Sequence, residues 1–172
     1  MPNRYLANWG LRRFPEGIRP VQSPIAELKA LRATREPTLL RDVAVLPPSA
    51  EIELEVPRGE WPEAGLRLRN AKGEEVTLGV TPEPLEVFVD RTRARVVGSP
   101  GNYSARHAGP VRWREDRITL RVLFDRSVVE IFVNDGETVV TERFYPTEPF
   151  TRIERLGGAA APGDPPRMWE LR

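Results

Sequence analysis

The sequence contains no cysteine and only one histidine, His107. A chain without cysteine has no disulfide, no thiolate metal site and no thiol nucleophile. A single histidine excludes metal sites built on a histidine pair and makes any serine–histidine–aspartate triad depend on His107. Because His107 lies among turn-forming residues, we interpret it as an ordinary loop residue. We therefore expect neither a metal ion nor a cofactor.

The sequence also lacks an excess of charge of one sign and a long apolar run. The chain has 26 basic and 25 acidic residues and a net charge of +1, which disfavours sequence-independent binding to nucleic acid. No apolar run reaches the length of about 18 residues that indicates a membrane span, and residues 1–10 contain no apolar signal-peptide core. We expect a soluble protein with neither nucleic acid nor a membrane as its partner, in a compartment that the sequence leaves open.

Long helices are disfavoured by 18 prolines and 13 glycines within 172 residues, the length of one ordinary domain. One short helix is predicted from Ser23 to Arg32. Ser23 can cap it, Pro24 takes the favoured first position, and apolar residues follow at helical spacing. Because Pro37 limits this region, we interpret residues 1–36 as a connector segment that contains the helix.

Apolar and polar residues alternate after residue 37, which is typical of half-buried β-strands. Residues 128–133 run into the tight-turn sequence Asn134-Asp135-Gly136-Glu137 and return as residues 138–144, which predicts a β-hairpin. Nine or more short strands at hairpin spacing predict an all-β domain over residues 37–172. We expect a two-sheet antiparallel β-sandwich of the jelly-roll or concanavalin-like type.

Catalytic motifs are not found. The sequence has no glycine-rich phosphate loop, no His-Glu-x-x-His and no Gly-x-Ser-x-Gly. Most carboxylates occupy the polar positions of alternating strands, as Glu51, Glu53 and Glu55 do, and are interpreted as a solvated sheet face.

Glu130 differs from these carboxylates because it shares a strand face with Val128 and Phe132. A carboxylate among apolar neighbours usually has a partner. One hypothesis is structural: an arginine such as Arg91 or Arg126 holds Glu130 and ties neighbouring strands together. The other is that carboxylate and guanidinium groups grip the vicinal hydroxyls of a sugar.

Aromatic side chains are the second requirement for a sugar site. Of the tryptophans and tyrosines, Trp61 and Tyr103 lie beside turn residues and are the preferred candidates for an exposed platform.

Three stretches, in family order, carry a resemblance to a known family. They are LRVLFDRSVVEIFVNDGE with TERFYP at 120–137 and 141–146, PVQSPIAELKALR at 20–32, and FVDRT at 88–92. Together they resemble the C-terminal β-sandwich of glycoside hydrolase family 32, which includes invertases, levanases and inulinases. The stretch at 20–32 is similar to the connector that leaves the catalytic five-bladed propeller of that family.

The family's catalytic motifs are Trp-Met-Asn-Asp-Pro-Asn-Gly, Arg-Asp-Pro and Glu-Cys, and none is present here. The resemblance therefore implies the accessory half of a glycosidase, without catalytic residues, and we expect no glycosidase activity from this chain.

Two functions follow from the resemblance. The first is a non-catalytic module that binds fructose, sucrose or a levan- or inulin-type fructan. The resemblance maps its site to Asp90, Arg91, Tyr103, Asp125, Arg126 and Glu130. The alternative is a structural domain that packs on a separate or missing propeller, or self-associates, through an apolar patch that includes Trp9, Phe14, Ile18 and the connector helix.

Overall fold

The computed structural model describes residues 7–59, 61–94 and 105–172. Almost all of the regular structure is β. The strands are β1 (Ala7–Phe14), β2 (Gly17–Pro24), β3 (Thr38–Leu39), β4 (Val43–Val45), β5 (Ser49–Pro57), β6 (Ala64–Arg69), β7 (Glu75–Pro82), β8 (Leu85–Asp90), β9 (Arg106–Pro110), β10 (Arg117–Asp125), β11 (Val128–Val133), β12 (Thr138–Arg143), β13 (Arg152–Arg155) and β14 (Arg167–Glu170). Two 3₁₀ helices span Ala26–Leu31 and Gly158–Ala160. No helix among the described residues is long and apolar enough to cross a membrane.

The strands form two six-stranded sheets and a separate hairpin. Sheet I has the strand order β12-β11-β10-β5-β14-β3, sheet II has the order β4-β13-β6-β7-β8-β9, and β1 pairs with β2. Neighbouring strands in both sheets are antiparallel. This architecture confirms the predicted all-β, two-sheet antiparallel sandwich.

The core lies between the two sheets and follows from the period-two pattern. In β10 the buried residues Ile118, Leu120, Val122 and Phe124 alternate with residues that point to the other face of sheet I. The ring of Phe124 stacks 6.3 Å from that of Phe144, centroid to centroid. This single apolar cluster takes residues from both sheets and holds them together.

The predicted β11–β12 hairpin is present, with Asn134, Asp135 and Gly136 all at positive φ. At Gly136 φ is +87°, and a Cβ there would lie 1.8 Å from the backbone oxygen of Gln22. The backbone N–H of Gln22 in turn donates to the oxygen of Gly136 at 3.1 Å. Glycine is therefore required both by the turn and by the close approach of β2.

The N-terminal segment differs from the sequence-based expectation. The connector helix exists, but it is a six-residue 3₁₀ helix with Ile25 at its N-cap and no side-chain cap. Ser23 is not a cap because it belongs to β2, where it pairs with Asn8. The β1–β2 hairpin was not predicted, although the Pro15-Glu16 turn between its strands is a recognisable signal.

This segment packs on the outer face of sheet I, away from the main core. Ala7 and Leu28 form a small apolar cluster there with Leu123 and Phe132. The guanidinium group of Arg12 donates to the backbone oxygens of Asn134 and Asp135, at 3.3 Å each. The hairpin and the helix thereby cover sheet-I side chains that would otherwise face water.

Candidate functional site

A pocket of about 670 Å³ opens on sheet I beside the 3₁₀ helix Ala26–Leu31. Strands β10, β11 and β12 supply most of its wall, and the helix and the C-terminal residues close one side. The apolar part includes Leu28, Leu31, Leu123 and Leu171. The polar part comprises Ser49, Arg91, Asp125, Glu130, Thr141 and Glu142, with Arg143 and Arg172. A cavity that combines an apolar wall with convergent polar groups has the character of a small-molecule site.

Glu130 reaches this pocket because of strand periodicity. In β11 the side chains of Val129, Ile131 and Val133 enter the core, so Glu130 points to the outer face. Its cross-strand neighbours are Leu123 on β10 and Thr141 on β12. Glu130 is buried and lines the pocket.

Arg91 and Glu142 connect the two sheets at the rim. Arg91 follows β8 of sheet II, and its Nε lies 3.5 Å from Oε2 of Glu142 on β12 of sheet I. Arg91 Nη1 also donates to the backbone oxygen of Arg143 at 2.6 Å. Oε1 of Glu142 lies 2.5 Å from Nδ1 of His107. The interpretation of His107 as a loop residue is wrong, because His107 lies in β9 and pairs with Val89 of β8.

Asp125 ends β10 at the mouth of the pocket. It is paired with Ser49 on β5, whose hydroxyl donates to Asp125 Oδ1 at 2.9 Å. The Ser49 hydroxyl thus orients one carboxylate oxygen of Asp125. The Asp125 carboxylate lines the pocket, where its oxygens can accept hydrogen bonds from a ligand.

The predicted solvated face at Glu51, Glu53 and Glu55 is wrong for Glu51, which is fully buried. Burial would by itself raise the pKa of Glu51, but hydrogen bonds and charges from Arg32 and Arg121 outweigh it and lower this pKa. Arg32 Nε and Arg121 Nε donate to the two carboxylate oxygens at 2.7 and 2.6 Å. The same contacts raise the pKa of Arg32. This cluster pins the segment after the 3₁₀ helix to sheet I.

Of the six residues that the sequence assigned to a site, Arg91, Asp125 and Glu130 line the pocket together. Asp90 does not line it. Its Oδ1 accepts from the backbone N–H and the hydroxyl of Thr92 at 2.8 and 2.6 Å. Arg126 lines a neighbouring cavity, and Tyr103 lies outside the described residues.

Arg91 makes a salt bridge with Glu142, a pocket residue that sequence reasoning missed together with Thr141 and Tyr145. The only signal for these residues was their place in the TERFYP stretch.

The preferred aromatic platform is likewise corrected. Trp61 packs against the core with its ring 6.2 Å from that of Trp113, edge to face, and it does not line the pocket. Within the part of the chain that the structure describes, Tyr145 supplies an aromatic ring at the rim and is 44% exposed.

Comparison with known proteins identifies the protein family of this chain. The model of the family "Glycosyl hydrolases family 32 C terminal" matches residues 27–160. The chain belongs to this family. The family 32 C-terminal domain is 34% identical to a levanase of Bacillus sp. (strain L7) over 148 residues, which cover 79% of the chain and 16% of that levanase. It is 27% identical to a levanase of Bacillus subtilis (strain 168) over 150 residues, or 79% of the chain and 22% of that protein.

Solved structures agree on the fold of the domain. The exo-inulinase from Aspergillus awamori superposes with a TM-score of 0.81 at 18% identity, over 96% of this chain and 35% of that one. The sucrose-6-phosphate hydrolase from Lactobacillus gasseri gives a TM-score of 0.67 at 21% identity, over 95% and 33%. The chain therefore spans about a third of these two enzymes and less than a quarter of the two levanases.

Proposed function

We propose that the family 32 C-terminal domain binds a β-fructosyl unit in the pocket beside the 3₁₀ helix. The observation that carries the proposal is the convergence of three carboxylates, Asp125, Glu130 and Glu142, with Arg91 on one partly apolar cavity. A sugar offers hydroxyl protons to carboxylates, hydroxyl oxygens to guanidinium groups and C–H faces to apolar side chains. A pocket that combines these three surfaces complements it.

Each group has a distinct role in the proposal. Glu130 is buried deepest among the three carboxylates and accepts hydroxyl hydrogen bonds from the sugar. Arg91, already bonded to Glu142 and to the Arg143 carbonyl, orients Glu142 and donates to a hydroxyl oxygen of the sugar. Tyr145 lies at the rim and contacts an apolar face of the ring.

The relatives support fructose-containing sugars as the ligand class. Their names include levanase, levanbiose-producing levanase, exo-inulinase and sucrose-6-phosphate hydrolase. We therefore propose fructose, sucrose and levan- or inulin-type fructans as the ligands. Because a monosaccharide loses rigid-body freedom and hydration for few contacts, we expect a dissociation constant on the order of micromolar to millimolar.

Titration calorimetry with fructose, sucrose, levan and inulin tests this proposal. The wild-type domain is expected to release heat with at least one of these sugars, and Glu130→Gln is expected to abolish the signal. Glu63→Gln is the matched control, because Glu63 is exposed and does not line the pocket. Absence of heat with every sugar at millimolar concentrations would exclude the proposed function.

A second candidate function is packing on a catalytic domain or on a second copy of the chain. Trp9, Leu11 and Ile18 are 69%, 77% and 57% exposed. Trp9 and Leu11 share one face of β1, and Ile18 lies on the same face because it pairs with Arg13. An exposed apolar stripe of this kind is typical of an interaction surface.

Phe14 does not extend the stripe, in contrast to the sequence-based expectation. Its ring lies on the opposite face of the hairpin, with the guanidinium carbons of Arg12, Arg19 and Arg114 between 4.8 and 6.0 Å from its centre. Sedimentation at increasing concentration tests the packing function: we expect self-association that the double substitution Trp9→Ser/Leu11→Ser removes. A wild-type protein that stays monomeric throughout would count against it.

A further inference from the structure

A second cavity, of about 580 Å³, lies directly beside the sugar pocket. The two cavities share Phe124 and Tyr145 in their walls. The β10–β11 turn separates them: Asp125 faces the sugar pocket, whereas Arg126 and Ser127 face the second cavity. The turn that divides the two cavities thus consists of three residues, Asp125, Arg126 and Ser127. A fully extended chain of three residues spans about 10 Å.

This wall is held firmly in place. The backbone N–H of Arg126, whose φ is 50°, donates to the oxygen of Pro48 at 2.8 Å. The N–H of Phe144 donates to the oxygen of Ser127 at 2.9 Å. Arg126 and Ser127 of the turn are thus each hydrogen-bonded to a neighbouring segment. These backbone hydrogen bonds fix the positions of the two cavities relative to each other.

The second cavity is mainly apolar, with the guanidinium group of Arg126 and the carboxylate of Glu148 in its lining. Val45, which is 78% exposed, and Pro149 supply apolar surface in the same lining as Tyr145. Arg126 is exposed and makes no salt bridge to any residue that the structure describes. An apolar wall suits the C–H face of a sugar ring, and a guanidinium fork can donate to two hydroxyl oxygens at its edge.

We propose that the second cavity is a subsite for the next fructosyl unit of the same chain, so that the domain binds at least two linked units across the turn. The proposal rests on the proposed function of the first pocket. The occupant follows from continuity: a ligand held by Asp125 and Glu130 has its neighbouring unit within reach of Tyr145, which belongs to both walls. A fructan is the fructose-containing ligand class that supplies such a unit.

Calorimetric comparison of fructose with levanbiose and inulobiose tests the second subsite. We expect at least one disaccharide to bind about threefold to tenfold more tightly than fructose, because its second unit adds contacts with Val45 and with the Arg126 guanidinium group. Arg126→Ala and Val45→Ser are expected to reduce this affinity ratio to about one. Val43→Ser is the control, because Val43 is also exposed on β4 but does not line the cavity; it should keep the ratio.

The outcomes separate this inference from the function on which it rests. If fructose binds and Glu130→Gln abolishes its binding, but neither disaccharide binds more tightly, the second subsite is wrong and the first pocket stands. An affinity ratio that survives both Arg126→Ala and Val45→Ser also overturns it, because the second unit then lies elsewhere. A change of oligomeric state in Val45→Ser without a change of the ratio would assign the cavity to a second copy of the chain. If no sugar binds, both proposals fall.

Discussion

Arg91 and Glu142 join the two sheets of the sandwich at the rim of the pocket, with 3.5 Å between Nε and Oε2. Both side chains are largely buried, and Arg91 also donates to the Arg143 carbonyl. A pair in this position orients a carboxylate toward the pocket and at the same time links β12 to the end of β8. We therefore expect stability and ligand binding to be coupled at this contact.

The first prediction concerns that pair. Replacing Arg91 with methionine removes the salt bridge between Arg91 and Glu142 and leaves Glu142 with its contact to His107, so we expect a loss of about 1–3 kcal/mol in the free energy of unfolding, measured with urea. In a double-mutant cycle with Glu142→Gln, we expect a coupling energy of about 0.5–3 kcal/mol. Arg58→Met is the control, since its exposed pair with Asp116 should contribute less than about 1 kcal/mol. Strictly additive effects of the two substitutions would contradict the coupling.

The second prediction concerns Gly136, where β2 contacts the β11–β12 turn. In Gly136→Ala the new Cβ would meet the Gln22 oxygen at 1.8 Å, so β2 must move away. We expect the unfolding free energy to fall by about 2–4 kcal/mol, from positive-φ strain together with the lost contact. We also expect trypsin to cleave faster after the hairpin arginines Arg12 and Arg13.

Gly73→Ala separates strain from contact. Gly73 has a similar φ of +79° but nothing within 4 Å of a Cβ, so this substitution should cost only about 1 kcal/mol and leave the cleavage rate of the hairpin unchanged. Equal tryptic susceptibility of the two variants would show that Gly136 does not hold the hairpin on the sandwich.

The sandwich itself could be predicted from sequence because its causes are local. Alternation along β10 and β11 sets which side chains enter the core, and Asn134-Asp135-Gly136 sets the hairpin. The same periodicity correctly placed Glu130 on the face that carries the pocket.

What the sequence could not reveal depends on long-range contacts. Glu51 has the same sequence pattern as Glu53 and Glu55, but it is fully buried and its two carboxylate oxygens accept from Arg32 and Arg121. Glu142 becomes a site residue because an edge of sheet I meets Arg91, which is 51 positions away in the chain. Neither the burial of Glu51 nor the contact between Glu142 and Arg91 follows from the periodicity of the sequence or from a local motif.

The third prediction follows from the lowered pKa of Glu51. Because its folded-state pKa lies below the ordinary value of 4.5, ionised Glu51 stabilises the fold fully above that value. This contribution is lost as the pH falls through the lowered pKa. We expect Glu51→Gln to reduce the unfolding free energy by about 3 kcal/mol near pH 7, with the difference from wild type narrowing below about pH 4.

Urea denaturation of both proteins between about pH 3 and pH 7 measures this difference. Glu55→Gln serves as the control, since its pair with Arg117 is exposed and should contribute less than about 1 kcal/mol at any pH. A difference between Glu51→Gln and wild type that is constant across the range would show that the charge of Glu51 is not what stabilises the fold.

The fourth prediction identifies the aromatic residue that contacts the ligand. Tyr145 lies at the rim of both cavities, whereas Trp61 packs against Trp113 and donates to the Pro57 carbonyl at 3.1 Å. We expect Tyr145→Ala to weaken fructose binding by about threefold to tenfold, measured by calorimetry, because the sugar loses its aromatic contact. Trp61→Phe should keep the wild-type affinity while lowering the unfolding free energy slightly, by about 1 kcal/mol for the lost hydrogen bond. The opposite result, with affinity lost in Trp61→Phe and kept in Tyr145→Ala, would show that Trp61, one of the two residues that the sequence favoured, contacts the ligand and that the pocket on sheet I does not bind it.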